Sequence, residues 1–92
     1  MKSILQNEAR CYFCGSTVGL EVHHCMFGRG QRQLSEKHGL TVYCCYRCHR
    51  DNHWGVHGNR QMDLTLKKLS QKVFEKKYGH EKWMNVFKRN YL

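Results

Sequence analysis

The 92-residue chain carries 16 lysines and arginines against seven aspartates and glutamates, which gives a formal net charge of +9. A chain of this length forms one domain, and its core is small enough that a disulfide or a structural metal usually supports it. No segment is apolar enough for a signal peptide or a membrane span, so we expect a cytoplasmic protein without membrane contact. In that reducing compartment, paired cysteines indicate a metal site and not the disulfides of a secreted domain.

The positive charge is spread along the chain and favours an anionic partner. Nucleic acid is the partner most typical of a soluble domain this basic. Charge alone is equally consistent with an ordinary solvated surface. No motif indicates a small-molecule cofactor, and the oligomeric state is not readable from the sequence.

The first part of the chain predicts an arm, a turn, a strand and a loop. Residues 1–10 are polar and form the arm, and residues 11–15 (CYFCG) form a tight turn that carries two cysteines. Residues 20–24 (LEVHH) alternate apolar and polar side chains, which predicts a strand. Residues 27–39 are polar and contain glycine, which predicts a flexible, cationic loop beside that strand.

The next part predicts a second strand that turns into a short helix. Residues 40–44 (LTVYC) are rich in β-branched and aromatic side chains, which favours a strand. The chain then enters a helix whose first turn carries Cys48 and His49. Gly55 is expected to end this helix.

The C-terminal part predicts two more helices. Apolar side chains recur at helical spacing from about Gln61, and Gly79 is placed to end that helix. The apolar positions are Met62, Leu66, Leu69, Val73 and Phe74. Lysines are predicted on the rest of its surface, namely Lys67, Lys68, Lys76 and Lys77. A last helix from His80 to about Arg89 offers as its buried side Trp83, Val86 and Phe87.

We predict one domain over residues 1–92, with an arm (1–10), a core (11–57) and C-terminal helices (58–92).

Four cysteines have the spacing of a zinc site. They form two C-x-x-C pairs, namely Cys11, Cys14, Cys45 and Cys48. Two such pairs predict a closed tetrahedral Zn²⁺ site, which is structural because every position is filled by protein. The other two, Cys25 and Cys44, are predicted to be free, buried thiols.

Five histidines lie near these cysteines and predict a second, open metal site. His23 and His24 must point to opposite faces of a strand, so they should have different roles. His49 and His53 lie one turn apart on a helix and can reach one ion. Three histidines with open positions would bind a divalent ion that accepts a phosphate oxygen. These five are His23, His24, His49, His53 and His57, whereas His38 and His80 are predicted on the surface.

The order of these motifs resembles the zinc-knuckle class of HNH endonucleases, and the chain is similar to the small versions encoded by bacteriophages. The resemblance covers about Cys11 to His57. It implies an α+β fold with a small, treble-clef-like ββα-metal core, a four-cysteine zinc knuckle and added C-terminal helices. It also implies a setting in a bacterial host cell, encoded by a phage or prophage, and a DNA substrate.

The resemblance also implies roles for individual residues. His23 would bind the catalytic divalent ion (Mg²⁺, Mn²⁺, Ni²⁺ or Zn²⁺), and His49 would be the second ligand. His24 would be the general base that takes a proton from the attacking water, oriented by a backbone carbonyl. The basic residues that would contact phosphates are Arg29, Arg32 and Lys37.

One feature departs from the family pattern, and the third ligand of the catalytic ion is undetermined. The family's central Asn, which braces the loop before the second strand, has no counterpart, because His38 and Gly39 occupy that place. The third ligand of the catalytic ion is either His53, which fits helical spacing, or His57, which lies in a G-V-H segment typical of the phage proteins. The alternative to an endonuclease is a non-catalytic zinc-binding module for nucleic acid, in which the histidines merely pack.

Overall fold

The computed structural model describes residues 3–50 and 59–92, with only the backbone described for Arg50. The described residues form a small α+β structure with one two-stranded antiparallel sheet and four helices. The elements are β1 (Leu20–His24), α1 (Gln31–His38), β2 (Thr41–Cys45), α2 (Tyr46–Arg50), α3 (Arg60–Tyr78) and α4 (His80–Phe87). No helix within these residues is long and apolar enough to cross a membrane.

The two strands form where the alternating pattern predicts them, with β2 shifted by one residue. Val22 pairs with Tyr43, and His24 pairs with Thr41. Because side chains alternate along a strand, His23 is buried while Val22 is exposed. One face of β1 therefore points into the protein and the other toward solvent.

The N-terminal arm runs beside β2 and forms neither helix nor strand between residues 3 and 10. The backbone N–H of Ile4 donates to the carbonyl of Gly39 over 2.9 Å. The side-chain oxygen of Gln6 accepts a hydrogen bond from the N–H of Tyr43 over 2.8 Å. The arm therefore satisfies part of the outer edge of the sheet.

The prediction of a loop over residues 27–39 is wrong, because α1 occupies most of that stretch. Glycines with left-handed φ lie at both ends of α1: Gly30 (φ 76°) precedes it and Gly39 (φ 72°) follows it. The buried Ser35 hydroxyl accepts from the N–H of Met26 at 2.8 Å and donates to the Met26 carbonyl at 2.7 Å. The helix is held by these two hydrogen bonds and not by a wide apolar face, so hydrophobic periodicity could not reveal it.

Among the described residues, the C-terminal helices contribute four of the nine buried residues in the two core clusters. The side chain of Asn59 caps α3 by accepting hydrogen bonds from the second and third N–H groups beyond it. Gly79 ends the helix, as predicted, and its N–H donates to the carbonyl of Glu75 at 2.8 Å. One buried cluster joins α3 to the sheet and contains Cys25, Val42, Cys44 and Leu66. A second joins α3 to α4 and contains Met26, Leu40, Phe74, Trp83 and Phe87.

Two surface predictions in this region are wrong. Lys67 is only 7% exposed, and its Nζ contacts both carboxylate oxygens of Asp63 at 2.6 and 2.7 Å. The same ammonium lies 4.0 Å from the ring centre of Phe27. His38 is half-buried because its ring packs edge-on against Phe74 at 5.4 Å. Both side chains reach the interior because partners of complementary charge or shape are there.

Candidate metal centre and histidine cavity

Four cysteines converge where the N-terminal turn meets the start of α2. The sulfur atoms of Cys11, Cys14, Cys45 and Cys48 all lie within 4.8 Å of one another. Sulfurs bound to zinc at ~2.3 Å in a tetrahedron lie about 3.8 Å apart, so this cluster needs little adjustment to hold an ion. The four thiols can hold a structural metal such as zinc.

The local backbone brings the first pair of thiols together. The N–H of Gly15 donates to the carbonyl of Cys11 at 2.9 Å, and the N–H of Cys11 donates to the carbonyl of Ser16 at 2.8 Å. Gly15 has φ 78°, a left-handed conformation that glycine adopts without a steric cost. The sequence CYFCG thus closes a turn with both sulfurs on one side.

The thiols differ in how readily they ionise. Burial raises the pKa of Cys11, but hydrogen bonds from the backbone N–H groups of Cys14, Cys45 and Phe13 outweigh it and lower that pKa to about 6. Burial, followed by the neighbouring thiols, raises the pKa of Cys48 above the ordinary range. Because zinc binds thiolates, its binding releases protons from the less acidic members of the cluster.

The two cysteines predicted to be free lie in the core, as expected. Cys25 and Cys44 have no exposed surface. Burial raises the pKa of each to about 12. Neither belongs to the group of four converging thiols.

His23 and His49 face each other across the junction of β1 and α2. Their ring centres lie 5.2 Å apart, with the ring planes at 74°. Two imidazoles that bind one ion at ~2.0–2.1 Å place their ring centres about 4.5–5.5 Å apart. Nδ1 of His49 donates to the carboxylate of Glu21 over 2.8 Å. That contact fixes the ring of His49 and leaves its Nε2 as the nitrogen for a ligand.

His24 lies on the opposite face of β1, and its partner is on α1. Nε2 of His24 and the carboxylate of Glu36 lie 2.8 Å apart. The hydrogen bond to His24 is the main cause that lowers the pKa of Glu36 below its usual range. His24 also borders a small cavity of about 160 Å³ that His23, His49 and Arg32 line as well. The two adjacent histidines therefore lie on opposite faces of β1, and both line one cavity at the end of the strand.

The remaining predicted residues are less closely grouped. Arg29 and Lys37 are exposed, and neither lines the cavity that Arg32 borders. His53 and His57 lie outside the described residues, so the choice between them as third ligand stays open. Within residues 3–50 and 59–92, the four thiols are the one group of three or more metal-binding side chains.

Sequence reasoning missed several residues that shape these sites. Glu21 shares the buried face of β1 with His23, so strand alternation could have identified it. Glu36 and Ser35 lie on α1, which the sequence pattern did not reveal. No local pattern marks Asp63 as the partner of a buried lysine, although its spacing of four residues from Lys67 permits the pair.

The chain matches no protein-family model, no curated protein and no solved structure. The structure itself shows a small α+β protein with four clustered cysteines that can hold a structural metal. Its biochemical role must therefore be inferred from the residues around the histidine cavity.

Proposed function

We propose that this protein is a metal-dependent DNA endonuclease of the zinc-knuckle HNH class, with β1, β2 and α2 belonging to a ββα-metal core. One observation carries the proposal. His23, His24, His49 and Arg32 border the same cavity, and the four-thiol cluster includes Cys48, the neighbour of His49 on α2. A binding module has no need for imidazoles and a guanidinium around one cavity.

In this proposal His23 and His49 hold the divalent ion. Their separation fits a shared ion, and the Glu21 carboxylate keeps Nε2 of His49 directed to it. The ion, when bound, supplies positive charge to the scissile phosphate and the leaving oxygen. Water or a further side chain completes the coordination, because two ligands leave positions open.

His24 would act as the general base. The Glu36 carboxylate engages Nε2, so the imidazole is oriented by a side chain on α1 and accepts the proton of the attacking water at Nδ1. A carboxylate in contact with the imidazole also stabilises the imidazolium that forms. This differs from the family pattern, in which a backbone carbonyl orients the base.

Ser35 would take the place of the missing Asn. Its hydroxyl bridges the N–H and carbonyl of Met26, and its own carbonyl accepts from the N–H of Leu40 at 2.8 Å. These bonds fasten the segment after β1 to the segment before β2. Arg32, one turn earlier on α1, is thereby held at the cavity, where it would contact a phosphate.

Plasmid nicking with Mg²⁺, Mn²⁺, Ni²⁺ or Zn²⁺ tests the proposal. Wild type should nick supercoiled DNA, and His24→Ala should lower the rate by about 10²- to 10⁴-fold, the usual contribution of a general base. His80→Ala is the matched control, because His80 also contacts a carboxylate (2.6 Å, Glu75) but lies far along the chain on α4. The control should nick like wild type.

The non-catalytic alternative predicts a different outcome. In that case wild type binds DNA without nicking it, or His24→Ala and wild type nick equally. Counting metal ions per purified chain adds a second criterion. The nuclease proposal expects one tightly held zinc and one exchangeable ion, whereas a simple binding module needs only the zinc.

A further inference from the structure

A larger groove adjoins the histidine cavity on the exposed face of the sheet. It has a volume of about 690 Å³ and runs between the N-terminal arm and α1 over the two strands. Val22, His24 and Arg32 line both this groove and the small cavity. The two spaces are therefore adjacent, and the residue proposed as general base lies between them.

The floor of the groove is a flat, solvent-exposed pair of side chains. Val22 is 48% exposed and Tyr43 is 38% exposed, although both are large and apolar. They are direct partners across the two strands. Val22 and His24 are two residues apart on β1, about 7 Å, and both border the cavity, so this pair lies beside the proposed general base.

The groove walls are polar, and their guanidinium, that of Arg32, lies at the end shared with the cavity. Asn7 and Gln33 supply amides that both donate and accept hydrogen bonds. The two carboxylates in the walls each have a basic partner: Glu36 contacts His24 at 2.8 Å, and Glu8 contacts Arg10 at 3.1 Å. An aromatic floor with amide walls fits a planar, neutral, hydrogen-bonding group better than it fits a phosphate.

We propose that this groove binds one unpaired nucleobase of the DNA strand, stacked on Tyr43, while the adjoining phosphate lies at His24 and Arg32. The inference rests on the proposed function and narrows it: the favoured substrate is DNA with an unpaired base beside the cleaved bond, such as a bulge, a flap or a single strand. Stacking on an aromatic side chain accepts any base, so the groove selects structure and not sequence.

Binding without added divalent ion tests the groove separately from cleavage. The probes are a fully paired duplex and the same duplex with one bulged 2-aminopurine, both labelled for fluorescence anisotropy. Wild type should bind the bulged probe more tightly and should quench 2-aminopurine fluorescence as the base stacks. Tyr43→Ala should weaken binding of the bulged probe by roughly 5- to 100-fold, the effect of losing one stacked base, with little change for the duplex.

Two variants control for the aromatic ring and for folding. Tyr43→Phe keeps the stacking surface and should bind the bulged probe like wild type. Tyr78→Ala removes a comparably exposed tyrosine on α3, outside the groove, and should change neither affinity. Zinc content and the thermal midpoint show whether each variant is folded.

Several results would overturn the inference. One is wild-type binding of the bulged probe without quenching, which does not depend on any variant. Another is an equal loss of affinity for the bulged probe and the paired duplex in a Tyr43→Ala variant that is folded. Failure of the nuclease proposal looks different: quenching and the effect of Tyr43→Ala persist, but no divalent ion supports nicking.

Discussion

The thiol cluster and the histidine cavity meet in α2, where the adjacent residues Cys48 and His49 belong one to each. The thiol cluster is complete: four sulfurs lie within 4.8 Å and leave no position for another ligand. The histidine cavity is open, with two facing imidazoles and a guanidinium at its edge. The difference separates a four-thiol site that can hold a structural metal from an open cavity, and one short helix contributes a residue to each.

The largest expected effect comes from removing the structural metal. A strong chelator, or Cys11→Ser, should unfold the protein, because binding free energies of structural zinc are about 10–16 kcal/mol and exceed the stability of a small domain. Circular dichroism with and without chelator measures this. Cys25→Ser is the matched control and should keep bound zinc, although its buried hydroxyl costs some stability.

Acidification should release the same zinc, because protons compete for the thiolates. Loss of secondary structure on adding a reductant, with no response to a chelator, would show instead that disulfides hold the fold. If Cys11→Ser keeps both its zinc and its secondary structure, Cys11 is not a ligand of the metal.

The next effect concerns the buried ion pair between Lys67 and Asp63. The lysine packs against the ring of Phe27, and Phe27 lines the histidine cavity. Lys67→Met should lower the free energy of unfolding by about 3–5 kcal/mol, because among the described residues it leaves the buried Asp63 carboxylate with the exposed Arg60 as its basic partner. Lys68→Met, at the next position of α3 and exposed, should cost less than about 0.5 kcal/mol. Urea unfolding of both variants measures the difference.

A second substitution sharpens this prediction. Lys67→Met combined with Asp63→Leu should recover most of the lost stability, because apolar pairs often replace buried ion pairs without cost. If Lys67→Met and Lys68→Met unfold at the same urea concentration, the ion pair contributes nothing to the fold.

Ser35 offers a smaller test of how the cavity is braced. Ser35→Ala leaves the N–H and carbonyl of Met26 buried without their side-chain partner, at a cost of roughly 2–4 kcal/mol. Ser70→Ala is the control, since its buried hydroxyl donates to the carbonyl of Leu66 within the same helix and, among the described residues, braces no other segment's backbone N–H. Thermal unfolding should separate the two variants, and equal midpoints would contradict the bracing role of Ser35.

The sequence was most informative where spacing alone determines geometry. Two C-x-x-C pairs predicted the thiol cluster, and alternation along β1 predicted that His23 and His24 point to opposite faces. Both predictions rely on local chemistry that tertiary packing does not alter. The boundaries of the strands and of α3 followed from the same kind of pattern.

The sequence was least informative where polar groups fold inward. The helix α1 has one apolar side chain, Leu34, packed against the core, and it is anchored through the hydroxyl of Ser35. The helical pattern places Lys67 on the surface because it is not one of the apolar positions of α3, and the spacing from Asp63 permits a buried pair without requiring one. The contact of Glu36 with His24 depends on α1 and was hidden for the same reason.

The smallest effect tests the proposed exchangeable ion at His49 without disturbing the fold. Glu21→Gln keeps the size of the side chain but weakens its hold on Nδ1 of His49. Loss of such an outer contact lowers metal affinity by about 10- to 100-fold. Calorimetric titration with Ni²⁺ or Mn²⁺ should show this decrease, while the tightly held zinc stays at one per chain. Glu81→Gln on the exposed side of α4 should titrate like wild type. An unchanged affinity in Glu21→Gln would mean that His49 does not bind the exchangeable ion. The proposal of a second metal site in the histidine cavity would then be wrong.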